Sequence, residues 1–203
     1  MPVGIAPRAA RHAAWALIPA KSFARAKSRL AIGPGDDRRA TLARNMLAHV
    51  VRTARASGAI VGVLVATDGD DVACACEDGV AIARDHTDDT GRLGAVVDRA
   101  LAALAERGAT TAIVLMGDLP RLAVDDLAAL LASLDTADVA LAPDRGDWGT
   151  NALALRLPAR MPTAFGHSDS FARHLAAARR HGLATTVVRT PTLAYDVDAA
   201  SDL

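Results

Sequence analysis

The sequence predicts an α/β fold in which a mainly parallel β-sheet is covered by helices on both faces. Strand-like and helix-like segments alternate along the 203 residues, as they do in layered α/β proteins. Most strand candidates are continuous apolar runs, which is typical of strands buried on both faces. Apolar residues make up 51% of the chain but aromatic residues only 3%. Many buried side chains must therefore be small, which allows close contact of the kind found where helices lie flat on a sheet.

The individual elements follow from periodicity and from the residues that bound them. Seven apolar segments are strand candidates: Ala14–Ile18, Ile60–Ala66, Val80–Ala83, Ala112–Leu115, Val139–Leu141, Ala152–Leu155 and Thr185–Val188. Helical spacing of apolar residues predicts helices between them, around residues 42–54, 93–104 and 127–134 and from about Ser170 onward. Gly58, Gly108 and Gly182 each follow a helical pattern, so each is expected to end a helix in the left-handed conformation.

The chain is expected to form a single domain over residues 13–203, after a flexible N-terminal extension at 1–12. It contains no internal repeat, no low-complexity tract and no linker. The apolar run Ala13–Ala20 is shorter than the roughly 18 residues that span a bilayer, and Lys21 follows it instead of a cleavage site. A cytoplasmic protein without a membrane partner is therefore expected. Cys74 and Cys76 are expected to be free, inert thiols.

A cluster of cations follows the first predicted strand. Lys21, Arg25, Lys27 and Arg29 lie in the segment directly after it, while the whole chain carries 23 basic and 23 acidic residues. The cluster is therefore local rather than part of a general basic bias. Nucleic-acid binders usually show a basic balance across the domain. The cluster thus indicates a phosphate-bearing small molecule rather than nucleic acid.

Two acidic motifs together predict a divalent-metal site. Asp118 follows an apolar strand, between Gly117, interpreted as allowing close backbone approach, and Pro120. Asp196 and Asp198 alternate in an extended segment, so their side chains can point to one side. Three converging carboxylates repel each other unless a cation lies between them, and Mg²⁺ accepts carboxylate, water and phosphate oxygens. Solvated aspartates at 196 and 198, and a helix-capping role for Asp118, are the alternatives.

A third group of residues combines an entry to a strand with a polar turn. Asp147–Asn151 enter the strand, and the turn at 164–169 is rich in glycine and hydroxyl groups and opens a helix at Ser170. Backbone N–H groups at a helix N-terminus suit a phosphate or a carboxylate; a serine N-cap without a ligand is the alternative. His174 and His181 are interpreted as surface or core histidines, not as general bases. The sequence contains no P-loop, no Gly-x-Ser-x-Gly and no Rossmann glycine fingerprint.

Five of these motifs, in this order, resemble the guanylyltransferases of the deazaflavin coenzyme F-420 pathway, the CofC/FbiD family. They comprise Pro19–Leu30, Gly117–Pro120, Gly149–Asn151, the segment from Phe165 to His174, and Asp196–Asp198. The resemblance extends from about Trp15 to the C-terminus. It implies a Rossmann-like nucleotidyltransferase fold related to the molybdopterin guanylyltransferases. It also implies transfer of GMP from GTP to 2-phospho-L-lactate, phosphoenolpyruvate or 3-phospho-D-glycerate, with release of pyrophosphate.

The resemblance also implies roles for individual residues. Catalytic cations and GTP-phosphate contacts are expected at Lys21, Arg25 and Lys27, and further nucleotide contacts at Thr67 and Asp118. The phosphorylated acid is expected at Thr150, Gly166, Ser168 and Ser170. Mg²⁺ or Mn²⁺ is expected at Asp118, Asp196 and Asp198.

Two departures from the family pattern affect this assignment. The family often reads Gly-Leu-Asn-Ala-Ala-Leu where this chain reads Gly91-Arg92-Leu93-Gly94-Ala95-Val96, which puts the nucleotide contacts there in question. The turn at 166–170 is one residue longer than usual, so Ser168 and Ser170 compete for one role.

The expected partners are GTP and the acid; a homodimer and a hand-over of the unstable product to the next pathway enzyme stay open. A nucleotide-sugar-dependent glycosyltransferase and a catalytically silent nucleotide-binding protein are the alternative functions.

Overall fold

The computed structural model describes residues 14–25, 37–84 and 93–197, and within them strands and helices alternate as the sequence predicts. The strands are β1 (Ala14–Ala20), β2 (Ile60–Thr67), β3 (Ala81–Arg84), β4 (Thr111–Leu115), β5 (Val139–Pro143), β6 (Thr150–Arg156) and β7 (Thr185–Val187). The helices are α1 (Asp37–Ala56), α2 (Asp70–Ala75), α3 (Leu93–Glu106), α4 (Val124–Ser133) and α5 (Ser170–Arg180). The expected extension at 1–12 lies outside the described residues, and the prediction of a single domain stays a prediction.

All seven strands join one sheet, and most of its pairings are parallel. The strand order is β3-β2-β1-β4-β6-β5-β7. β1 pairs in parallel with β2 and β4, β2 with β3, and β5 with β7, whereas β6 is antiparallel to both β4 and β5. The predicted fold class, a mainly parallel sheet with helices on both faces, is confirmed.

Two apolar cores lie on opposite faces of this sheet, because side chains alternate between the faces along each strand. Within β1, Ala16 and Ile18 belong to one core and Leu17 to the other. α1 and α4 cover the first face, with Val50, Leu127 and Leu130 fully buried. α3 and α5 cover the second face with apolar side chains that include Val97, Leu101, Leu104, Phe171 and Ala178.

Two glycine interpretations need correction. Gly108 and Gly182 have the expected positive φ, but Gly58 does not, because α1 ends at Ala56 and the chain continues through an ordinary turn. Gly117 is not required by packing within the described residues, since a Cβ there would lie no closer than 3.5 Å to its nearest atom, Cδ1 of Leu47.

The helices in the described part of the chain are too short or too polar to cross a membrane.

Candidate active site

One edge of the sheet gathers the loops that the sequence analysis selected. The carboxyl ends of β1, β2 and β4 lie side by side, because these strands pair in parallel. The antiparallel strand β6 brings its first residues to the same edge, where Leu115 at the end of β4 pairs with Ala152. The segment after β7 also starts there, because β7 is parallel to β5 and Pro143 at the end of β5 pairs with Thr150. Ligands of open α/β sheets bind outside such an edge.

Lys21 is exposed at the end of β1, in the centre of this edge. Because β1 lies between β2 and β4, Lys21 emerges between the loop that follows Thr67 and the loop that contains Asp118. Of the other basic residues in the predicted cluster, the structure describes Arg25, whereas Lys27 and Arg29 lie outside the described residues. Lys21 is thus the cation that the fold places centrally at the edge.

Two carboxylates, one in the β2–α2 loop and one in the first turn of α2, hold the segment that follows Lys21. Asp68 accepts a hydrogen bond from the Ser22 amide at 3.0 Å and forms an ion pair of 2.6 Å with Arg25. Asp71 accepts hydrogen bonds from the Ser22 hydroxyl (3.0 Å) and the Phe23 amide (2.8 Å). The loops meet so closely that a Cβ at Gly69 would lie 2.7 Å from Cα of Ser22.

These contacts also act on the acidity of Asp71. Burial raises its pKa, but hydrogen bonds from the Ser22 hydroxyl and from nearby backbone amides outweigh that effect and hold the pKa below its usual value. The carboxylate is therefore ionised at neutral pH and is available as an acceptor. The Arg25–Asp68 pair is exposed on the Arg25 side, with 63% of that side chain accessible, so it contributes little to stability and leaves Arg25 accessible to a ligand.

Thr67 is buried at the end of β2, and its hydroxyl oxygen accepts a hydrogen bond from the Gly69 amide at 3.1 Å. The hydroxyl thus shapes the loop that receives Ser22. The predicted nucleotide contact at Thr67 stays a prediction.

Asp118 and Asp196 lie on adjacent segments at the same edge. Asp118 follows β4, and its carbonyl oxygen accepts a hydrogen bond from the Val197 amide at 3.3 Å. Both aspartates are partly exposed. Asp198, the third predicted ligand, lies outside the described residues, and no group of three metal-ligating side chains occurs among the residues that are described. The backbone contact nevertheless brings together the segments that carry two of the three predicted ligands, and carboxylate oxygens are hard donors that fit Mg²⁺.

Further cations surround the same segment. Tyr195 directly precedes Asp196, and the guanidinium carbons of Arg121 and Arg145 lie 3.7 Å and 4.8 Å from the centroid of its ring. Such cation–π contacts hold the side chains of both arginines against Tyr195, the residue before Asp196. These two arginines were not predicted, because their partner is more than 40 residues away in the sequence.

A buried carboxylate in α4, Asp126, holds the segment that leads to Asp196. It is 3% exposed and accepts hydrogen bonds from the hydroxyls of Thr190 (2.6 Å) and Thr192 (2.8 Å) and from the Ala123 amide (2.9 Å). The neighbouring Leu193 carbonyl accepts from the side-chain amide of Asn151 at 2.9 Å. The C-terminal segment is therefore attached to both α4 and β6 just before it reaches the site.

Asp126→Ala is expected to lower the free energy of unfolding by roughly 2–3 kcal/mol, because it leaves three partly buried donors without their common acceptor. The substitution should also lower turnover, since the segment that leads to Asp196 loses its hydrogen bonds to α4. Chemical denaturation and steady-state rates measure both effects. Asp125→Ala, at the exposed neighbouring position in the first turn of α4, is the control. Equal stability of the two variants would contradict the anchoring role.

Thr150 and His174 form a buried pair between β6 and α5. Thr150 is 4% exposed, His174 is fully buried, and Oγ1 of Thr150 lies 2.9 Å from Nδ1 of His174. The other ring nitrogen, Nε2, accepts a hydrogen bond from the Ala164 amide at 2.8 Å. Burial lowers the pKa of His174 to about 4, and the nearby His167 adds to this effect while the Ser170 backbone opposes it. Of the two interpretations of His174, surface or core, the structure shows the core one.

The turn before α5 has a defined conformation. Gly166 has φ of +88°, and a Cβ there would lie 3.0 Å from Cβ of Leu93, so glycine is needed on both counts. The Phe165 carbonyl accepts a hydrogen bond from the Gly94 amide at 3.0 Å. Gly94 itself leaves room for the Thr163 carbonyl, which gives this departure from the family pattern a structural reason.

The structure separates the two competing serines. Ser168 is exposed in the turn, whereas Ser170 begins α5 and is 3% exposed. The Ser170 amide donates to the His167 carbonyl at 3.1 Å, and the Phe171 amide donates to the Trp148 carbonyl at 3.0 Å. This second bond attaches the loop before Thr150 to the start of α5. Thr150, Gly166, Ser168 and Ser170 are thereby brought to one region of the edge.

Comparison with known sequences identifies relatives along nearly the whole chain. A sequence profile described as "Guanylyl transferase CofC like" matches residues 14–203. A relative from Chloroflexus aggregans named phosphoenolpyruvate guanylyltransferase is 41% identical over 191 residues, covering 92% of this chain and 93% of the relative. A relative from Phenylobacterium zucineum named 3-phospho-D-glycerate guanylyltransferase is 36% identical, covering 87% of this chain and 82% of the relative.

Solved structures show the same fold. A protein from Desulfovibrio desulfuricans named "putative nucleotide-diphospho-sugar transferase" superposes with a TM-score of 0.69 at 18% identity, with 87% of this chain and 80% of the other covered. Rv0371C of Mycobacterium tuberculosis, solved as a complex with manganese, gives a TM-score of 0.60 at 19% identity, with 94% and 95% of the two chains covered. At these identities the likeness concerns the fold.

Proposed function

The chain belongs to the CofC-like guanylyl transferase family, and on that premise we propose that it transfers GMP from GTP to a small phosphorylated three-carbon acid and releases pyrophosphate. The observation that carries the proposal is the meeting of three separate groups at one sheet edge. These are the central cation Lys21, the adjacent segments that carry Asp118 and Asp196, and the polar turn around Thr150 and Gly166. Together they offer a place for a triphosphate, a divalent ion and a second anion.

The chemistry requires positioning and charge stabilisation rather than a protein nucleophile. The phosphate oxygen of the acid attacks the α-phosphorus of GTP in line, and the bond from that phosphorus to the bridging oxygen of pyrophosphate breaks. An incoming phosphate is already an anion near pH 7, so no general base is needed. We assign the stabilisation of charge on the phosphates to Lys21, Arg25 and Lys27.

Asp118, Asp196 and Asp198 would hold Mg²⁺ or Mn²⁺. When bound, the metal would neutralise negative charge on the phosphate oxygens. Two of these carboxylates are described and lie on hydrogen-bonded segments, and their oxygen donors suit either ion. The solved manganese complex of a protein with this fold supports a divalent ion at such a site.

The acid is assigned to Thr150 and the turn at 166–170. Gly166 and Ser168 make no hydrogen bond with other described residues, so their amides and the Ser168 hydroxyl are available to a carboxylate or phosphate. The relative at 41% identity is named for phosphoenolpyruvate, which makes this acid the first candidate. The proposed pathway is deazaflavin coenzyme F-420 biosynthesis in the cytoplasm, where GTP and such acids are found. The homodimer and the hand-over of product stay predictions.

The test is a pyrophosphate-release assay with GTP, Mg²⁺ and each of phosphoenolpyruvate, 2-phospho-L-lactate and 3-phospho-D-glycerate. The proposal predicts release only when GTP and one of the acids are both present. A nucleotide-sugar-dependent glycosyltransferase would release no pyrophosphate from GTP, and a silent nucleotide-binding protein would bind GTP without turnover. Either outcome with all three acids would contradict the proposal.

Thr150→Val and Ser170→Ala are expected to change the ranking of the three acids more than the KM for GTP. A site that hydrogen-bonds a substrate oxygen discriminates strongly, because an analogue without that oxygen leaves buried polar groups unpaired. The kcat/KM of each acid in each variant measures the ranking. Thr53→Val, at a buried threonine of α1 away from this edge, is the control. A uniform fall for all acids, or weaker GTP binding alone, would remove these residues from the acid site.

A further inference from the structure

His174 occupies a position that the proposed chemistry does not use. Its ring is fully buried, yet both nitrogens face polar groups that belong to different parts of the edge: the Thr150 hydroxyl on β6 and the Ala164 amide in the turn before α5. The edge of the Phe165 ring packs against it, with the centroids 4.8 Å apart and the planes at 62°. A histidine that only fills space has no need of both polar contacts.

The hydrogen bonds determine which nitrogen carries the proton. The Ala164 N–H is a donor and cannot accept, so Nε2 must present its lone pair. The neutral ring therefore carries its proton on Nδ1, 2.9 Å from Oγ1 of Thr150. Nδ1–H donates to the Thr150 oxygen, and the Thr150 hydroxyl proton is then directed to a different acceptor. In this arrangement Thr150 presents a donor, which is what a carboxylate or phosphate oxygen requires.

From this geometry we infer that His174 is a positioning residue for the acid site, which orients the Thr150 hydroxyl as a donor and fixes the turn at 164–166 relative to it. The inference rests on the proposed function, since it takes the acid to be the ligand of Thr150 and Gly166.

The neutral state of the ring is maintained by its surroundings. Burial lowers the pKa of His174 to about 4. A hydrogen bond with the Ser170 backbone acts to raise this pKa, whereas the neighbouring titratable group, His167, lowers it further. Protonation would place a donor at Nε2 opposite the Ala164 N–H, and two donors facing each other would push the turn away. With the ordinary histidine pKa of about 6.5, the ring would become protonated close to neutral pH. Burial lowers the pKa of His174, so protonation requires a pH well below neutral.

The tautomer can be tested without any activity measurement. In ¹⁵N-labelled protein at pH 7, long-range ¹H–¹⁵N correlation spectra should show Nδ1 of His174 protonated and Nε2 unprotonated, with no protonation down to about pH 5. His174→Phe identifies the signals by their loss. A ring protonated at Nε2, or at both nitrogens at pH 7, would overturn the inference.

The positioning role can be tested with two variants that each keep one half of the ring's contacts. The side-chain amide of His174→Asn reaches the Nδ1 position and can still donate to Thr150, whereas His174→Gln reaches the Nε2 position and can still accept from Ala164. His174→Phe keeps neither contact. The KM for the acid should rise about tenfold or more in His174→Phe and less in the other two. The KM for GTP should change less than about twofold in all three. A structural role alone would lower the active fraction, hence kcat, and leave both KM values unchanged, which would contradict the inference.

A double-mutant cycle separates this inference from the proposed function. If Thr150→Val alone leaves the KM for every acid unchanged, the acid site is wrongly assigned and the proposed function loses this part. If Thr150→Val raises the acid KM but the His174 variants do not, the acid site stands and the positioning role is wrong. If both raise it, Thr150→Val should have a much smaller additional effect in the His174→Gln background, where the hydroxyl is no longer oriented.

Discussion

Asp118→Asn and Asp196→Asn are each expected to abolish measurable turnover while the protein still folds. Each substitution removes one negative charge from the two adjacent segments that the Val197–Asp118 backbone hydrogen bond holds together, so the proposed metal would be held less well beside the phosphates. The expected cost is about 2–4 kcal/mol of transition-state stabilisation, or roughly 30-fold to 10³-fold in kcat. Steady-state rates over a range of Mg²⁺ and Mn²⁺ concentrations measure it, and circular dichroism shows whether the fold is retained.

Asp78→Asn is the matched control, because Asp78 is an exposed carboxylate in the turn that precedes β3, at the amino-terminal end of that strand. It should leave the rate within about twofold of the parent, as expected for a surface substitution with a stability effect of about 0.5 kcal/mol or less. Near-normal rates of both site variants at saturating metal would remove Asp118 and Asp196 from the metal site.

Lys21→Ala is expected to lower kcat/KM for GTP by on the order of 10²-fold, because the fold places this exposed cation in the centre of the edge where the phosphates are assigned. The effect should be much the same with each of the acids. Arg52→Ala removes an exposed cation near the C-terminal end of α1 and should change the same constant by less than about twofold. Equal effects of the two substitutions would mean that Lys21 is only a solvent-exposed side chain at the end of β1 and does not contact GTP.

The sequence predicted the strands well because each is a continuous apolar run between polar or glycine-containing segments. All seven candidates fall on observed strands, and bounds differ by two residues or fewer at each end. Periodicity also predicted the four longer helices. A helix was also expected around Cys74, but periodicity could not give the bounds of α2, because its six residues form less than two turns and only Val72 is buried in it. The antiparallel direction of β6 was likewise not predicted, since strand direction depends on partners that are distant in the sequence.

The position of the site was predicted by a general rule, while its internal contacts were not. Because ligands of α/β sheets bind at the carboxyl edge, the polar residues after β1, β2 and β4 could be selected from sequence alone. Asp126, Asn151 and His174 act through partners 24 to 66 residues away, and no local pattern indicates such pairs. Asp126 had one local signal, because it is the third residue of α4. An acidic side chain at this position often accepts a hydrogen bond from the backbone N–H of the residue before the helix. Its threonine partners required the fold.

The identity of the product tests the central claim most directly. Purified protein is incubated with GTP, Mg²⁺ and phosphoenolpyruvate, and the reaction is followed by ³¹P NMR and mass spectrometry, with 2-phospho-L-lactate and 3-phospho-D-glycerate in parallel. The account predicts stoichiometric pyrophosphate and a new compound in which guanosine and the acid are joined through two linked phosphates, with at least one of the acids. Phosphate and GDP as the only new phosphorus signals, or no reaction of GTP with any acid, would contradict it.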